Sequence, residues 1–202
     1  MQLWFMTGNQ GKLLEAKHAF SPLGFNVEQF KIEGNVPEII EPQCETLEEV
    51  AEAKITQGIE LLKSIGKEQD ALLVEDSGLF VDTLGGFPGV YSAYVLEKIG
   101  CEGILELTKT HTSNPASFRA FACLWDGRKI HRGSGICSGE IVNSVRGING
   151  FGYDPIFIPS DYLGNSTKGL TFGEVEIAVK ENFSHRKKAL DGILSNFKNT
   201  II

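Results

Sequence analysis

The chain has 202 residues, of which 42% are hydrophobic, and it carries a formal net charge of −7. This length suits one large globular domain, or one domain with two lobes, and it can bury a substantial core. The acidic balance excludes a nucleic-acid partner held by bulk charge, although a small anionic ligand can still bind a local basic pocket.

Cysteine usage and hydropathy indicate the compartment. The four cysteines, at positions 44, 101, 123 and 137, form neither a CxxC pair nor a cluster with zinc spacing, which is typical of reduced thiols. The apolar opening lacks a basic region and is too short for a signal peptide. No apolar run approaches the roughly 18 residues that a membrane span needs. We therefore expect a soluble, cytoplasmic protein with no membrane partner.

Strands and helices alternate through the first third of the chain. Apolar and alternating runs predict strands at residues 2–6 and 24–30, and helical periodicity predicts helices at residues 10–20 and 45–65. In the second helix, Thr46 and Glu49 have the spacing of a capping box. This alternation is typical of an α/β protein.

The remainder of the chain adds one clear hairpin. The turn Asp126-Gly127 lies between two strand-like runs. Residues 71–76 predict a buried strand, residues 102–109 a short helix, and residues 171–197 a segment that is helical at both ends, with a break near Asn182 to Ser184. We expect a single two-lobed domain over residues 1–202, built on a long twisted mixed β-sheet flanked by helices, with a central cleft between the lobes.

The stretch TGNQGK, Thr7 to Lys12, lies between the first predicted strand and the first predicted helix. Gly8 and Asn9 tolerate positive φ, so this turn could point backbone N–H groups inward. The helix start adds a partial positive charge, and Lys12 adds a full one. The stretch does not match the Walker A pattern, and taken alone it favours an ordinary turn over a phosphate site.

The stretch VEDSG, residues 74–78, would end its strand with two acids. Adjacent strand residues point to opposite faces, so the side chains of Glu75 and Asp76 would lie in different surroundings. A carboxylate at the carboxyl end of a strand suits a metal or a base role. Ser77 and Gly78 predict a tight turn that could offer donors to a phosphate. A solvated strand end fits this stretch equally well.

Glutamates are concentrated around the start of the long helix, at positions 38, 41, 45, 48 and 49. Most of them suit a helix start. One or two in the preceding loop could complete a magnesium site with Asp76, because Mg²⁺ takes few carboxylates together with waters and phosphate oxygens.

Two later stretches offer groups for a base. NGFGYDP places Phe151 and Tyr153 on a Gly-rich loop, where an aromatic ring can stack on a purine, although it more often fills the core. VKENFSHRKK carries Lys180, His185 and Arg186, which suit either a solvated helix surface or donors to a base carbonyl. Together with the earlier stretches they indicate a nucleotide site with a metal.

Five motifs, TGNQGK, VEDSGL, GGFPGVYS, FGYDPIF and SHRKKAL, occur in the order and approximate spacing of the inosine triphosphate pyrophosphatase family. The resemblance runs from about residue 2 to about residue 196. It implies magnesium-dependent cleavage of ITP, dITP and XTP to the monophosphate and pyrophosphate. It also implies a two-lobed α/β fold and usually a homodimer.

The resemblance also implies roles for residues. Asp76 resembles the catalytic carboxylate, as metal ligand, base or both, and Ser77 resembles a neighbouring substrate contact. The triphosphate site would comprise Thr7, Gly8, Asn9, Gln10, Gly11 and Lys12. The base-side contacts would be Phe151, Gly152, Tyr153, Asp154, Lys180, His185 and Arg186.

A second metal ligand is implied in the loop before the long helix. Glu38 lies in VPE, which resembles the local family sequence, whereas Glu41 fits the spacing to the helix without an insertion. We take Glu41 together with Asp76 as the Mg²⁺ ligands. The chain departs from the family pattern at TFGEV, where TFAEM is usual, and around Lys180, so its fine specificity stays open.

The residue types also suggest how a purine base is selected. Lys180 and Arg186 are donors only, so they suit the 6-oxo group of hypoxanthine or xanthine and oppose the 6-amino group of adenine. Three other interpretations remain open at this point. They are a related pyrophosphatase that prefers pyrimidine or modified nucleotides, a non-catalytic nucleotide-binding protein, and a phosphatase that releases orthophosphate.

Overall fold

A computed structural model describes residues 2–198, with side chains up to residue 195. The strands are β1 (Gln2–Phe5), β2 (Asn26–Gln29), β3 (Ala71–Val81), β4 (Pro115–Trp125), β5 (Ile130–Ile141) and β6 (Phe157–Pro159). The helices are α1 (Gln10–Phe20), α2 (Leu47–Ser64), α3 (Ser92–Thr108), α4 (Ile177–Glu181) and α5 (His185–Lys198).

The strands form one mixed sheet in the order β2-β1-β3-β4-β5-β6. β1 is parallel to both β2 and β3, whereas β6 is antiparallel to β5. The predicted α/β class with a mixed sheet is therefore confirmed. Between residues 2 and 198, no helix is both long and apolar enough to cross a membrane.

The chain divides into two compact units. The first comprises Met1–Asp76, Ala120–Ser134 and Arg186–Ile202, and the second comprises Ser77–Arg119 and Gly135–His185. Strands β3, β4 and β5 contribute residues to both units. The cleft expected from the sequence stays a prediction.

Strand β3 sends alternate side chains into two apolar layers of the first unit. Leu73 packs in the layer that includes residues of α1 and α5. Leu72 and Val74 pack in the layer that includes residues of α2. Because a strand has a period of two, Glu75 follows Leu73 toward α1 and α5, and Asp76 follows Val74 toward α2.

The prediction that this strand ends at Asp76, with a tight turn at Ser77 and Gly78, is wrong. β3 continues to Val81, because Leu79 and Val81 are fully buried in the core of the second unit. A Cβ at Gly78 would lie 2.2 Å from the carbonyl oxygen of Gly89, so this position accepts only glycine. Asp76 consequently lies within a strand rather than at its end.

The helices match the predicted pattern with two changes. The capping box of α2 is confirmed, since Thr46 Oγ1 accepts a hydrogen bond from the Glu49 N–H at 3.2 Å and a Glu49 carboxylate oxygen accepts one from the Thr46 N–H at 3.0 Å. The helix predicted at residues 102–109 belongs to α3, which is interrupted at Gly100. The break near Asn182 is confirmed, but α4 is a helix of only 5 residues.

All four cysteines are free, in agreement with the prediction of reduced thiols. Burial raises the pKa of the Cys101 thiol to about 11 and that of the Cys123 thiol to about 12. Both thiols therefore stay protonated near neutral pH, and thiols in this form react slowly.

The predicted hairpin is confirmed, and Asp126 organises its turn. β4 and β5 are neighbours in the sheet, joined through Gly127 at φ 89°. Asp126 Oδ1 accepts hydrogen bonds from the N–H groups of Arg128 and Lys129, both at 2.9 Å. Asp126 Oδ2 lies 2.6 Å from Nε2 of the buried His131.

The Asp126 carboxylate is expected to make stability depend on pH. Burial works to raise the pKa of Asp126, but hydrogen bonds from His131 and from the backbone of Lys129 and Arg128 outweigh it and lower this pKa below its ordinary value of 3.8. The folded state thus binds the proton more weakly than the unfolded state does. The contribution to stability is present above about pH 4 and is lost as the pH falls through the lowered pKa.

Urea unfolding of Asp126→Asn at several pH values tests this expectation. The variant should be less stable than the wild type at pH 7, and the difference should shrink as the pH falls below about 4. Asp161→Asn, at an exposed position, is the control and should show little difference at any pH. A difference for Asp126→Asn that stayed constant with pH would contradict the role of its charge.

Candidate active site

The turn from Thr7 to Lys12 follows β1 and leads into α1. Thr7 Oγ1 accepts a hydrogen bond from the Asn9 N–H at 3.1 Å, and Asn9 Oδ1 caps α1 by accepting one from the Lys12 N–H at 3.1 Å. Asn9 is extended, with φ −91°, and Gly8 also lacks a positive φ, so the turn does not use the positive φ that these two residues tolerate. The side-chain cap shapes the turn instead.

The start of α1 offers backbone donors that an anion could accept. The N–H groups of Gln10 and Gly11 open the helix, where no intrahelical acceptor exists. Gln29 Nε2 donates to the carbonyl oxygen of Thr7 at 2.7 Å, which holds the turn against the end of β2. This arrangement can bind a phosphate group at a helix N-terminus.

Lys12 belongs to a buried network of alternating charges. Its Nζ lies 2.7 Å from Glu75 Oε2, and Arg186 Nε lies 3.3 Å from Glu75 Oε1. Arg186 Nη1 also donates to Glu15 Oε1 at 2.9 Å. The side chains of Glu75 and Arg186 are only 0% and 5% exposed. Buried charges require such partners, so the network fixes Lys12 at the start of α1.

On the other face of β3, two carboxylates share one ammonium group. Lys54 Nζ lies 2.8 Å from Asp76 Oδ2 and 2.7 Å from Glu41 Oε1. Burial raises the pKa of Asp76 above its ordinary value, although Lys54 and Lys12 oppose this shift. Burial works to lower the pKa of Lys54, but Asp76 and Glu41 outweigh it and raise this pKa, so Lys54 stays charged.

These side chains fit a magnesium ion. Asp76 and Glu41 already face one cationic group, and their oxygens are the hard ligands that Mg²⁺ prefers. Among residues 2–198, no group of three or more His, Cys, Asp or Glu is arranged to hold a metal. Mg²⁺ commonly binds only one or two protein carboxylates and completes its coordination shell with waters and substrate phosphates, so Asp76 and Glu41 are sufficient in number. For Glu38, the described part of the chain shows no ion pair.

Lys54 is the functional candidate that sequence reasoning missed. A signal for it was present, because Lys54 follows the buried Ala51 by three residues and precedes the buried Gly58 by four. A lysine beside the buried stripe of an amphipathic helix needs an acidic partner. Asp76, predicted on the neighbouring strand, is that partner.

In the second unit, Asp154 joins the Gly-rich loop to α4. Asp154 is buried, and its Oδ2 accepts hydrogen bonds from the Phe151 N–H at 2.7 Å and from Lys180 Nζ at 2.6 Å. The ammonium group of Lys180 also lies 4.3 Å from the centre of the Phe151 ring. Gly150, at φ +73°, is required because a Cβ there would lie 2.1 Å from Asp154 Oδ2.

The two aromatic rings of this loop have different environments. Tyr153 is buried in the core, and its hydroxyl donates to the carbonyl oxygen of Ser92 at 3.0 Å. Phe151 is 47% exposed, and an exposed aromatic ring can stack on a planar base. Tyr153 therefore anchors the loop, and Gly152, between the two rings, has a φ of +66° that glycine adopts readily.

Arg146 and Glu174 take part in a second set of contacts that supports this loop. Arg146 Nη2 donates to Glu174 Oε2 at 2.7 Å, and the same oxygen accepts from the Thr171 N–H at 2.9 Å. The Asn149 N–H donates to the carbonyl oxygen of Gly173 at 2.9 Å. The TFGEV stretch, where the chain departs from the family pattern, therefore belongs to the segment that supports this loop.

The remaining predicted residues fall in both units. His185 is buried and stacks on Phe118 with ring centres 5.2 Å apart, and Ser77 is half-buried within β3. Arg186 belongs to the first unit and Lys180 to the second. The prediction that both donate to one base carbonyl accordingly stays a prediction.

The family model of the Ham1 family matches residues 3–196, which is nearly the whole chain. This chain belongs to the Ham1 family. Ham1 membership agrees with the resemblance to nucleoside triphosphate pyrophosphatases that the five motifs indicated.

Similar proteins share both the sequence and the fold. A dITP/XTP pyrophosphatase of Thermococcus kodakarensis is 43% identical over 190 residues, covering 94% of each chain. Another of Pyrococcus horikoshii is 43% identical, covering 94% of this chain and 93% of the relative. The solved structure of the Staphylococcus aureus Ham1 protein is 27% identical with a TM-score of 0.79, and the match covers 100% of both chains.

Proposed function

We propose that this Ham1-family chain hydrolyses the non-standard purine nucleoside triphosphates ITP, dITP and XTP to the monophosphate and pyrophosphate, and so removes them from the nucleotide pool. The observation that carries the proposal is the pair of carboxylates, Asp76 and Glu41, on one Lys54 ammonium group. The names of the relatives, dITP/XTP pyrophosphatases, support the choice of substrate.

The first unit supplies the groups for the triphosphate. The N–H groups of Gln10 and Gly11 and the ammonium group of Lys12 bind its terminal phosphates. The ion pair with Glu75 keeps the ammonium group of Lys12 in place. Asp76 and Glu41 would hold Mg²⁺, which when bound supplies positive charge to the phosphate oxygens.

Asp76 acts as the base in the hydrolytic step. It takes a proton from a water molecule as the water oxygen forms a bond to the α-phosphorus. The bond from that phosphorus to the bridging oxygen breaks, and its electron pair leaves with pyrophosphate. Burial raises the pKa of Asp76 above its ordinary value in the chain without metal.

The second unit supplies the groups for the base. Phe151 stacks on the purine, and Lys180, oriented by Asp154, donates to the 6-oxo group. Adenine places an amino donor at this position, so an ATP complex leaves two donors facing each other. A buried donor without an acceptor discriminates strongly against the wrong substrate.

Lys180→Ala is expected to reduce this discrimination. The ratio of kcat/KM for ITP to that for ATP should fall by roughly 10- to 100-fold, because the donor that distinguishes the two bases is removed. Steady-state kinetics with both nucleotides measures the ratio. Lys109→Ala, at an exposed lysine paired with Glu106 on the surface of the same unit, is the matched control. An unchanged ratio in Lys180→Ala would show that Lys180 does not read the base.

The proposal includes a homodimer in the cytoplasm. Tyr91 and Tyr94, at the start of α3, are 45% and 63% exposed, and neighbouring exposed aromatic rings are typical of protein interfaces. The four free cysteines support a reducing compartment. Light scattering during size-exclusion chromatography gives the oligomeric state.

A substrate panel tests the function directly. The protein is assayed with ITP, dITP, XTP, ATP, GTP, dUTP and TTP, with and without Mg²⁺, and both products are identified. Pyrophosphate release from ITP, dITP and XTP that requires Mg²⁺ is expected. Preference for dUTP or TTP, release of orthophosphate, or binding without turnover would each replace the proposal with one of the alternatives named above.

A further inference from the structure

Residues 36–44 carry Glu41 toward α2 and contain neither helix nor strand. The side chain of Gln57 on α2 joins this loop through two hydrogen bonds. Gln57 Oε1 accepts from the Ile40 N–H at 2.9 Å, and Gln57 Nε2 donates to the Ile40 carbonyl oxygen at 2.8 Å. The side-chain amide thus pairs with the backbone of Ile40 in both directions, as a neighbouring strand would.

Gln57 is itself held in one orientation. Its Nε2 makes a further hydrogen bond to the carbonyl oxygen of Ala53, one turn earlier on α2, at 3.1 Å. Ile39 packs against the α2 layer, whereas the Ile40 side chain is 80% exposed and gives no apolar anchor. The backbone position of Ile40, immediately before Glu41, therefore depends on the amide of Gln57.

Lys54 and Gln57 lie one turn apart on α2, so the same helix face contacts both the side chain of Glu41 and the backbone before it. The Glu41 side chain is 61% exposed, and its pair with Lys54 is at 2.7 Å. An ion pair with such exposure contributes little by itself. Fixing the adjacent backbone limits the positions that the Glu41 carboxylate can reach.

We propose that Gln57 is a positioning residue that presents Glu41 to a divalent cation together with Asp76. The inference rests on the proposed function, because that proposal makes Glu41 a metal ligand. Gln57 does not contact the cation. It lowers the cost of ordering Glu41, which a free loop would incur when the cation binds.

Gln57→Leu tests the inference with two measurements that do not require turnover. The first is the affinity of the nucleotide-free protein for Mn²⁺, measured by electron paramagnetic resonance. The second is the hydrogen-exchange rate of the Ile40 amide, measured by NMR. We expect Mn²⁺ affinity to fall roughly tenfold and Ile40 exchange to rise roughly tenfold, since two hydrogen bonds are lost. Glu60→Leu, on the exposed side of α2, is the matched control and should change neither value.

A double substitution separates positioning from a general effect on the fold. In a Glu41→Gln background, Gln57→Leu should change Mn²⁺ affinity by less than about twofold, because the ligand that Gln57 positions is absent. An equal loss in both backgrounds, an unchanged affinity in Gln57→Leu, or no measurable Mn²⁺ binding by the wild type would each overturn the inference. Failure of the wild type to release pyrophosphate would instead count against the proposed function, and it is observed in a separate assay.

Discussion

Asp76→Asn should lower the rate of pyrophosphate release from ITP by about 1,000-fold or more. The substitution removes both the proposed metal-binding charge and the proposed general base, and loss of a general base alone typically costs about 10²- to 10⁴-fold. The amide keeps the size of the side chain and can still contact Lys54, so the fold should stay intact. Initial rates at saturating Mg²⁺, together with circular dichroism, measure both effects.

Asp82→Asn is the control for this substitution. Asp82 follows the end of β3 at Val81 and is exposed, so it is an aspartate close to the same strand but outside the carboxylate pair. Its variant should keep the rate of the wild type. A rate for Asp76→Asn near that of Asp82→Asn would exclude Asp76 as the catalytic carboxylate.

Glu75→Gln should lower the free energy of unfolding by roughly 3 kcal/mol or more, because it leaves buried cations without their shared anion. Lys12 and Arg186 both contact the Glu75 carboxylate, whose side chain is 0% exposed. Glu15 still pairs with Arg186 in the variant but not with Lys12. Urea unfolding gives the difference, provided that the slope of the free energy against urea concentration is unchanged.

The comparison for Glu75→Gln is the same change at an exposed ion pair. Glu60 and Lys63 lie 2.8 Å apart on α2, and their side chains are 67% and 52% exposed. Exposed pairs of this kind contribute little, so Glu60→Gln should be almost neutral. A loss in Glu75→Gln no larger than that in Glu60→Gln would mean that the buried network does not stabilise the fold.

Most of the fold followed from local patterns in the sequence. The capping box at Thr46 and Glu49 and the hairpin turn at Asp126 depend on residues close in the chain, and both predictions are confirmed. The continuation of β3 past Asp76 was missed, because Ser77-Gly78 has the composition of a turn. Only tertiary burial of the residues that follow shows that this segment is a strand, and local propensity cannot reveal burial of that kind.

The candidate site, like the fold, was predictable where it depends on local sequence. The motifs indicated Lys12, Asp76 and Lys180 as site residues, and their roles stay predictions. Their partners were harder to predict. Lys54, which contacts both proposed metal ligands, and the pairing of Arg186 with Glu15, which lies 171 residues earlier, depend on how helices pack against the sheet. Sequence spacing does not encode contacts at that separation.

The alternation of side chains along β3 also limits how this chain can change in evolution. Deletion or insertion of one residue between Ala71 and Val74 would reverse the faces of all later side chains in the strand. Glu75 would then point to α2 and Lys54, and Asp76 would point to Lys12 and α1. Substitution of either acid leaves this alternation unchanged, but the strand from Ala71 to the two acids keeps it only if its length changes in steps of two. An even or odd number of residues in that short segment therefore determines which face of the sheet carries Asp76, the proposed catalytic carboxylate.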